Sequence, residues 1–244
     1  MVVIIKNKLF DELIYDMSKC EKCISMHSKS NVNCSLINIY ENTKFAKEIP
    51  SIWTDWYNRL NSKIMIIGQD WGPFEDMKKL NGKYLEEPTK ENWIKLMEDE
   101  KSLTKKQLTK YLVESSNGKI TSINDIYITN AIMCGRKGNN YRGNNINLKC
   151  STLNCKEFLL RQIEIVKPKV ILTLGYYPLY SLSNIFGFNI EDNLTKTIEK
   201  YPIIEIEDLI IVPLYHPVAQ ITKEKQMEQY NRIGIIFKER KKYI

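Results

Sequence analysis

Apolar residues recur at helical spacing at Leu9, Phe10, Leu13, Ile14 and Met17, which predicts an amphipathic helix running into Cys20-Glu21-Lys22-Cys23. A second stripe, Ile52, Trp53, Trp56, Tyr57 and Leu60, predicts another helix with a buried aromatic face. The period then changes. Ile64-Met65-Ile66-Ile67 is a short continuous apolar run, the pattern of a strand covered on both faces, and Gly68-Gln69-Asp70-Trp71-Gly72-Pro73 reads as an abrupt exit from it. Two helical patterns follow over residues 89–115, one with Trp93, Leu96 and Met97 and one with Leu108, Tyr111 and Leu112. Thr89 is an N-cap candidate for the first, and Thr104 with Gln107 fits a capping box for the second. The order is completed by a strand over 125–133, a helix opened by Cys155 and stopped before Pro168, and a strand over 170–175. A helical turn with Leu179, Tyr180, Leu182 and Ile185, a strand over 209–215, and a closing helix with Met227, Tyr230, Ile233 and Ile236 inward come last.

Four short apolar strands separated by helices predict an α/β fold: a three-layer α/β/α sandwich around a central, mostly parallel four-stranded sheet. One domain over residues 1–244 is expected, with an irregular, polar N-terminal arm over about residues 1–50 that contains His27 and Cys34. In such sheets ligands bind at the carboxyl ends of the strands. Three of the four strand ends carry a polar group there, namely Asp70, Asn130 and His216. Each has an ordinary explanation: a turn cap, a satisfied core amide, a buried histidine before a proline. An unsatisfied amide in an apolar strand costs on the order of 1 to 3 kcal/mol, so Asn130 is expected to have a partner, either backbone or ligand.

Composition adds a partner class. The 244 residues carry 36 Lys+Arg against 29 Asp+Glu, a net charge of +7, which suits a polyanion without being specific for one. The glycine- and asparagine-rich loop after the second strand, with Arg136, Lys137 and Arg142, suits a path along phosphates or is simply a surface loop. The first residues lack a secretory leader, and no apolar run reaches the ~18 residues of a membrane span, so a cytoplasmic protein with reduced thiols is expected. Cys20, Cys23, Cys34, Cys134, Cys150 and Cys155 then read as metal ligands or free thiols; a single C-x2-C pair is half of a tetrahedral site.

Six blocks in order resemble the uracil-DNA glycosylase superfamily, most closely its iron-sulfur family 4 enzymes. They are Cys20-x2-Cys23, Gly68-Gln69-Asp70-Trp71-Gly72, the strand end Thr129-Asn130 running to Cys134, Cys155 with the helix to Gln162-Ile163, Pro168-Lys169-Val170-Ile171 running to Gly175, and His216-Pro217. The resemblance implies a DNA-repair glycosylase, a hydrolase that removes flipped-out uracil from single- or double-stranded DNA as a monomer. It implies a 4Fe-4S cluster on Cys20, Cys23, Cys134 and Cys155, with Cys150 competing for the fourth place and structural zinc as the alternative metal. Asn130 would read the uracil edge, His216 would donate to O2, and Asp70 or Glu75 would act with a water beneath C1′. Gly68 and Gln69 would line the base pocket, Tyr84 or Phe74 would stack on uracil, and Trp71 would narrow the pocket near C5. Gln220 or Ile221 would wedge into the vacated stack beside the DNA-binding loop. Gln69-Asp70 departs from the family 4 pattern and resembles the Gly-Gln-Asp of family 1. A glycosylase for another deaminated base such as hypoxanthine, or a metal-stapled nucleic-acid-binding module without turnover, therefore stays open.

Overall fold

All five residues of Val170–Leu174 are buried, as are Met65, Ile66 and Ile67 in Ile64–Gly68, so successive side chains must find apolar partners on opposite faces. The computed structural model, which describes residues 2–23, 36–40, 54, 56–72, 102–136 and 147–239, supplies both faces with helices. In chain order the elements are α1 (Val2–Ser18), β1 (Leu36–Ile37), β2 (Ile64–Gly68), α2 (Leu103–Ser115), β3 (Tyr127–Asn130), β4 (Gly135–Arg136) and α3 (Leu148–Val166). There follow β5 (Val170–Leu174), α4 (Tyr176–Phe186), α5 (Leu194–Lys200), β6 (Ile204–Ile206), β7 (Leu209–Leu214) and α6 (Lys223–Glu239). One face joins Met65, Ile67, Tyr127, Ile171 and Ile211 to Phe10 and Leu13 of α1, Leu159 and Ile163 of α3, and Leu179 of α4. The other joins Ile66, Ile128, Leu172 and Val212 to Leu108 of α2 and to Tyr230 and Ile233 of α6.

The central sheet has five strands in the order β3-β2-β5-β7-β6, not four. β3, β2, β5 and β7 are parallel, and β6 pairs antiparallel with β7 at the edge. β6 escapes the sequence pattern because it is short and no more than half-buried, joined to β7 through Glu207 in a left-handed turn (φ 51°). The predicted strand over 125–133 is cut to Tyr127–Asn130, because the Ala131 and Ile132 amides donate instead to the carbonyls of Gly68 (2.8 Å) and Gln69 (2.9 Å). Among the described residues the aromatic stripe forms only the 3-10 turn Tyr57–Arg59, yet Trp56 is fully buried and its indole N–H donates to the Ile128 carbonyl at 2.6 Å. Helix α2 is capped by Ser102, whose hydroxyl accepts from the Lys105 amide, not by Thr104. Helix α3 begins at Leu148 behind the Asn147 cap, so Cys155 lies inside it.

A small antiparallel ribbon, β1 with β4, ties the N-terminal helix to the site edge. Asn38 just after β1 donates its amide to the carbonyls of Met17 (2.9 Å), Ser18 (3.2 Å) and Cys20 (3.0 Å), satisfying the end of α1 and fixing the chain that leads to Cys23. Among the described residues no helix is long and apolar enough to cross a membrane.

Candidate active site

Parallel strands deliver their carboxyl ends to one edge, and there Gly68 of β2 stands opposite Asn130 of β3 in register. A Cβ on Gly68 would lie 2.4 Å from Asn130 Oδ1, so only glycine leaves the Asn130 side chain its position. Asn130 is 6% exposed, and its amide makes no side-chain hydrogen bond among the described residues. With no side-chain partner among the described residues, the amide can offer a donor and an acceptor together to a ligand with a complementary edge. Gly68→Ala is expected to displace the Asn130 side chain and to weaken any ligand that pairs with its amide by roughly 100-fold or more. The thermal midpoint should stay near wild type, since the obstructed atom is a side-chain tip; the Asn130 side-chain amide resonances in an NMR spectrum beside a melting curve check both.

Asp70 follows on the exit from β2 and is almost fully engaged. Its Oδ1 accepts from the Gly72 amide (2.8 Å) and Arg136 Nε (3.0 Å), and its Oδ2 accepts from Gln69 Nε2 (2.8 Å) and Arg136 Nη2 (2.5 Å). Four donors fill the lone-pair positions of a carboxylate. The side chains of Asp70 and Arg136 are 4% and 12% exposed, so this is a buried bidentate pair. Arg136, expected on a phosphate, is therefore held against Asp70 by the β4 strand, whose Arg136 amide also donates to the Gly72 carbonyl at 2.9 Å. Trp71 does not narrow the crevice: it is buried, and its ring packs into the core 5.9 Å from that of Trp56.

His216 leaves the end of β7, partly buried, and is the only histidine among the described residues. The Val218 amide donates to its Nδ1 at 3.4 Å, which places the proton of the neutral ring on Nε2. Burial lowers its pKa below the ordinary 6.5, and the negative charge of Asp70 opposes that shift in part. Between the lowered value and 6.5 the folded chain binds fewer protons than the unfolded one. His216 therefore makes stability rise with pH through that window, with no further gain above it. Asp70→Asn is expected to lower the His216 pKa further, read by NMR titration of the ring.

The strand end that carries His216 is held from behind by α6. Gln226 Nε2 donates to the carbonyls of His216 (3.1 Å) and Tyr215 (3.4 Å), and Gln229 Nε2 donates to that of Pro213 (2.6 Å). Both glutamines are 2% exposed, whereas Met227, expected inward, is only partly buried. Their signal was a helical spacing shared with Tyr230 and Ile233, masked by their polarity. Beyond His216, Gln220 is exposed and Ile221 partly buried, while Val218 is the exposed large apolar side chain of this turn. Glu75, Phe74, Tyr84, Lys137, Arg142, His27 and Cys34 lie outside the described residues.

Three cysteines meet between α1, β4 and α3. Cys23, Cys134 and Cys155 are buried, and the neighbouring Cys134 and Cys155 thiols hold the Cys23 pKa well below the ordinary thiol range. The same contacts push Cys134 and Cys155 upward, since a second buried thiolate would face the first. Cys20 is near enough to act on both by its charge. Cys150 is partly exposed one turn outward, with Asn154 Nδ2 3.5 Å from Cys23 Sγ and 4.0 Å from Cys150 Sγ. Among the described residues no three His, Cys, Asp or Glu side chains converge as a single-ion site.

The family model described as the uracil DNA glycosylase superfamily matches residues 54–233. A type-4 uracil-DNA glycosylase of Archaeoglobus fulgidus is 28% identical over 110 residues, 43% of this chain and 51% of the relative. A type-4 uracil-DNA glycosylase of Sulfurisphaera tokodaii is 31% identical over 98 residues, 39% of this chain and 42% of the relative. The chain thus spans about half the length of the curated relatives it matches. Since the family match covers well over half of the 244 residues and contains Gly68, Asp70, Asn130 and His216, the chain belongs to the uracil DNA glycosylase superfamily.

Proposed function

We propose that this chain is a DNA-repair glycosylase that hydrolyses the N-glycosidic bond of a flipped-out uracil and leaves an abasic site. The observation that carries the reading is the nearly buried Asn130 amide, which has no side-chain hydrogen bond among the described residues and faces a glycine at the edge where Asp70 and His216 also emerge. Uracil offers N3–H to the Asn130 oxygen and O4 to its N–H₂, a pairing that a cytosine edge reverses. Cleavage moves an electron pair from the glycosidic bond onto the base, and His216, neutral with its proton on Nε2, donates to O2 as that charge grows. The sugar becomes cationic, and Asp70, held in place by Arg136 and the Gly72 amide, supplies a fixed negative charge. With its lone pairs engaged, Asp70 orients and stabilises; Glu75 is the alternative carboxylate for taking a proton from water. Phe74 or Tyr84 stacks on the base, and Val218, exposed beside His216, joins Gln220 and Ile221 as a wedge into the vacated stack.

Cys20, Cys23, Cys134 and Cys155 are the residues that would hold a 4Fe-4S cluster or a structural zinc. The donors fit in kind, four cysteines and no histidine, and their buried thiols resist accumulating negative charge until a cation joins them. Such a group would staple α1, β4 and α3 together beside the DNA-binding loop, without a part in the chemistry. Cys155→Ser is expected to lose the metal and Cys150→Ser to keep it, measured as iron, acid-labile sulfide and zinc per chain; zinc without sulfide would replace the iron assignment.

The activity test incubates the protein with labelled oligonucleotides carrying uracil, hypoxanthine or a thymine mismatch, followed by alkali. Scission at uracil supports the reading. Scission only at another base assigns a different deaminated substrate, and binding without scission assigns a nucleic-acid-binding module.

A further inference from the structure

Helix α4 begins immediately past the carboxyl end of β5, on the same edge as Asn130 and His216, after Gly175 in a left-handed conformation (φ 99°). Its core face is made of Pro178, Leu179, Ser181, Leu182 and Ser183, and three tyrosines are left outside that face. Tyr176 stacks on Tyr180, with centroids 6.2 Å apart and planes 20° from parallel, while Tyr177 meets Tyr176 edge-on at 5.7 Å. Lys149, exposed in the first turn of α3, places its ammonium 5.7 Å from the Tyr180 ring centre. All three rings are partly exposed, and none of their hydroxyls has a hydrogen bond among the described residues. Asp192, the acidic group near Tyr176, is itself paired with Lys196 at 3.3 Å, so the cluster does not present a bare negative charge.

Tyrosines not needed by the core, held as a near-parallel pair with a cation beside them, have the make-up of a stacking platform for unpaired bases. We propose that Tyr176 and Tyr180, with Lys149, bind an unpaired base flanking the target nucleotide, Tyr176 stacking on that base and Lys149 meeting the adjacent phosphate. The inference rests on the glycosylase reading for the identity of the neighbouring site, and it adds a preference for single-stranded DNA. Rings extending the column of stacked bases accept any sequence, because every base has a π-face. Lys149 contributes one phosphate contact, which weakens with salt.

The test measures anisotropy of labelled single-stranded oligonucleotides with the full chain, alongside uracil release from the same strands. Tyr176→Ala is expected to weaken binding by roughly 10-fold and Tyr176→Phe by less than about 2-fold, with unchanged thermal midpoints. Lys149→Ala should flatten the salt dependence by about one counterion. Each flanking nucleotide is then replaced in turn by an abasic analogue. At one position the wild type should lose affinity and Tyr176→Ala should lose no more, because ring and base act as one contact. Equal losses for Tyr176→Ala on every strand, or no loss at all, would overturn the platform while leaving uracil release by the wild type as evidence for the glycosylase. Absence of uracil release with the base-dependent loss intact would overturn the glycosylase reading instead.

Discussion

Replacing His216 with alanine is expected to slow single-turnover uracil release by roughly 100- to 1000-fold, the usual cost of removing one donor aimed at a developing oxyanion. The variant should fold, because what anchors this turn is backbone: Gln226 donates to the His216 carbonyl, which alanine keeps, and the Ala219 amide donates to the same carbonyl at 2.8 Å. The ring itself makes one long contact, from the Val218 amide. That contact fixes which nitrogen carries the proton, so His216→Asn, whose amide also donates, should recover part of the rate. A neutral donor further predicts that kcat keeps its plateau well below the pH at which an ordinary histidine becomes charged, since burial holds the His216 pKa down. A kcat that is highest at low pH and falls as the pH rises through the titration of the ring would show that the ring works as an imidazolium and would remove this account of the leaving group.

Strands buried on both faces were legible because nothing polar interrupts them: 64–67, 170–174 and 209–214 stand where continuous apolar runs predict them. Elements stabilised by polar contacts were not. The first turns of α3 bury Ser151 and Thr152, and α6 buries Gln226 and Gln229, so period counting on apolar residues misses the start of one helix and the inward face of the other. Tyr180, one of the residues of the helical turn read from the sequence, lies outside the buried face of its helix in a tyrosine pair. At the site, Asp70, Asn130 and His216 were visible as polar groups at strand ends, and the fold brings their parent strands to one edge. What the residue pattern does not contain is the pairing of Asp70 with Arg136. It joins positions far apart in the chain and depends on β4 lying beside the exit from β2.

That pairing makes Asp70→Asn the most consequential single change, and it allows the structural and chemical roles of the carboxylate to be separated. Removing one member of a buried ion pair leaves the other charge uncompensated, so Asp70→Asn should cost about 3 to 5 kcal/mol of folding stability, read as a shift of the denaturant midpoint. Arg136→Met alone should cost a similar amount by stranding the carboxylate. In Asp70→Asn with Arg136→Met no unpaired charge remains, and most of the stability should return. If Asp70 only closes the turn through the Gly72 amide, the repaired double variant should also release uracil at nearly the wild-type rate, because asparagine can accept the same hydrogen bond. If its negative charge faces the cationic sugar, the double variant should be folded, should bind uracil-containing DNA, and should remain slower by roughly 100-fold or more. Recovery of both stability and rate would remove Asp70 from the chemistry and leave Glu75 as the carboxylate at the sugar, and Glu75→Gln in the wild-type background would then carry the rate loss.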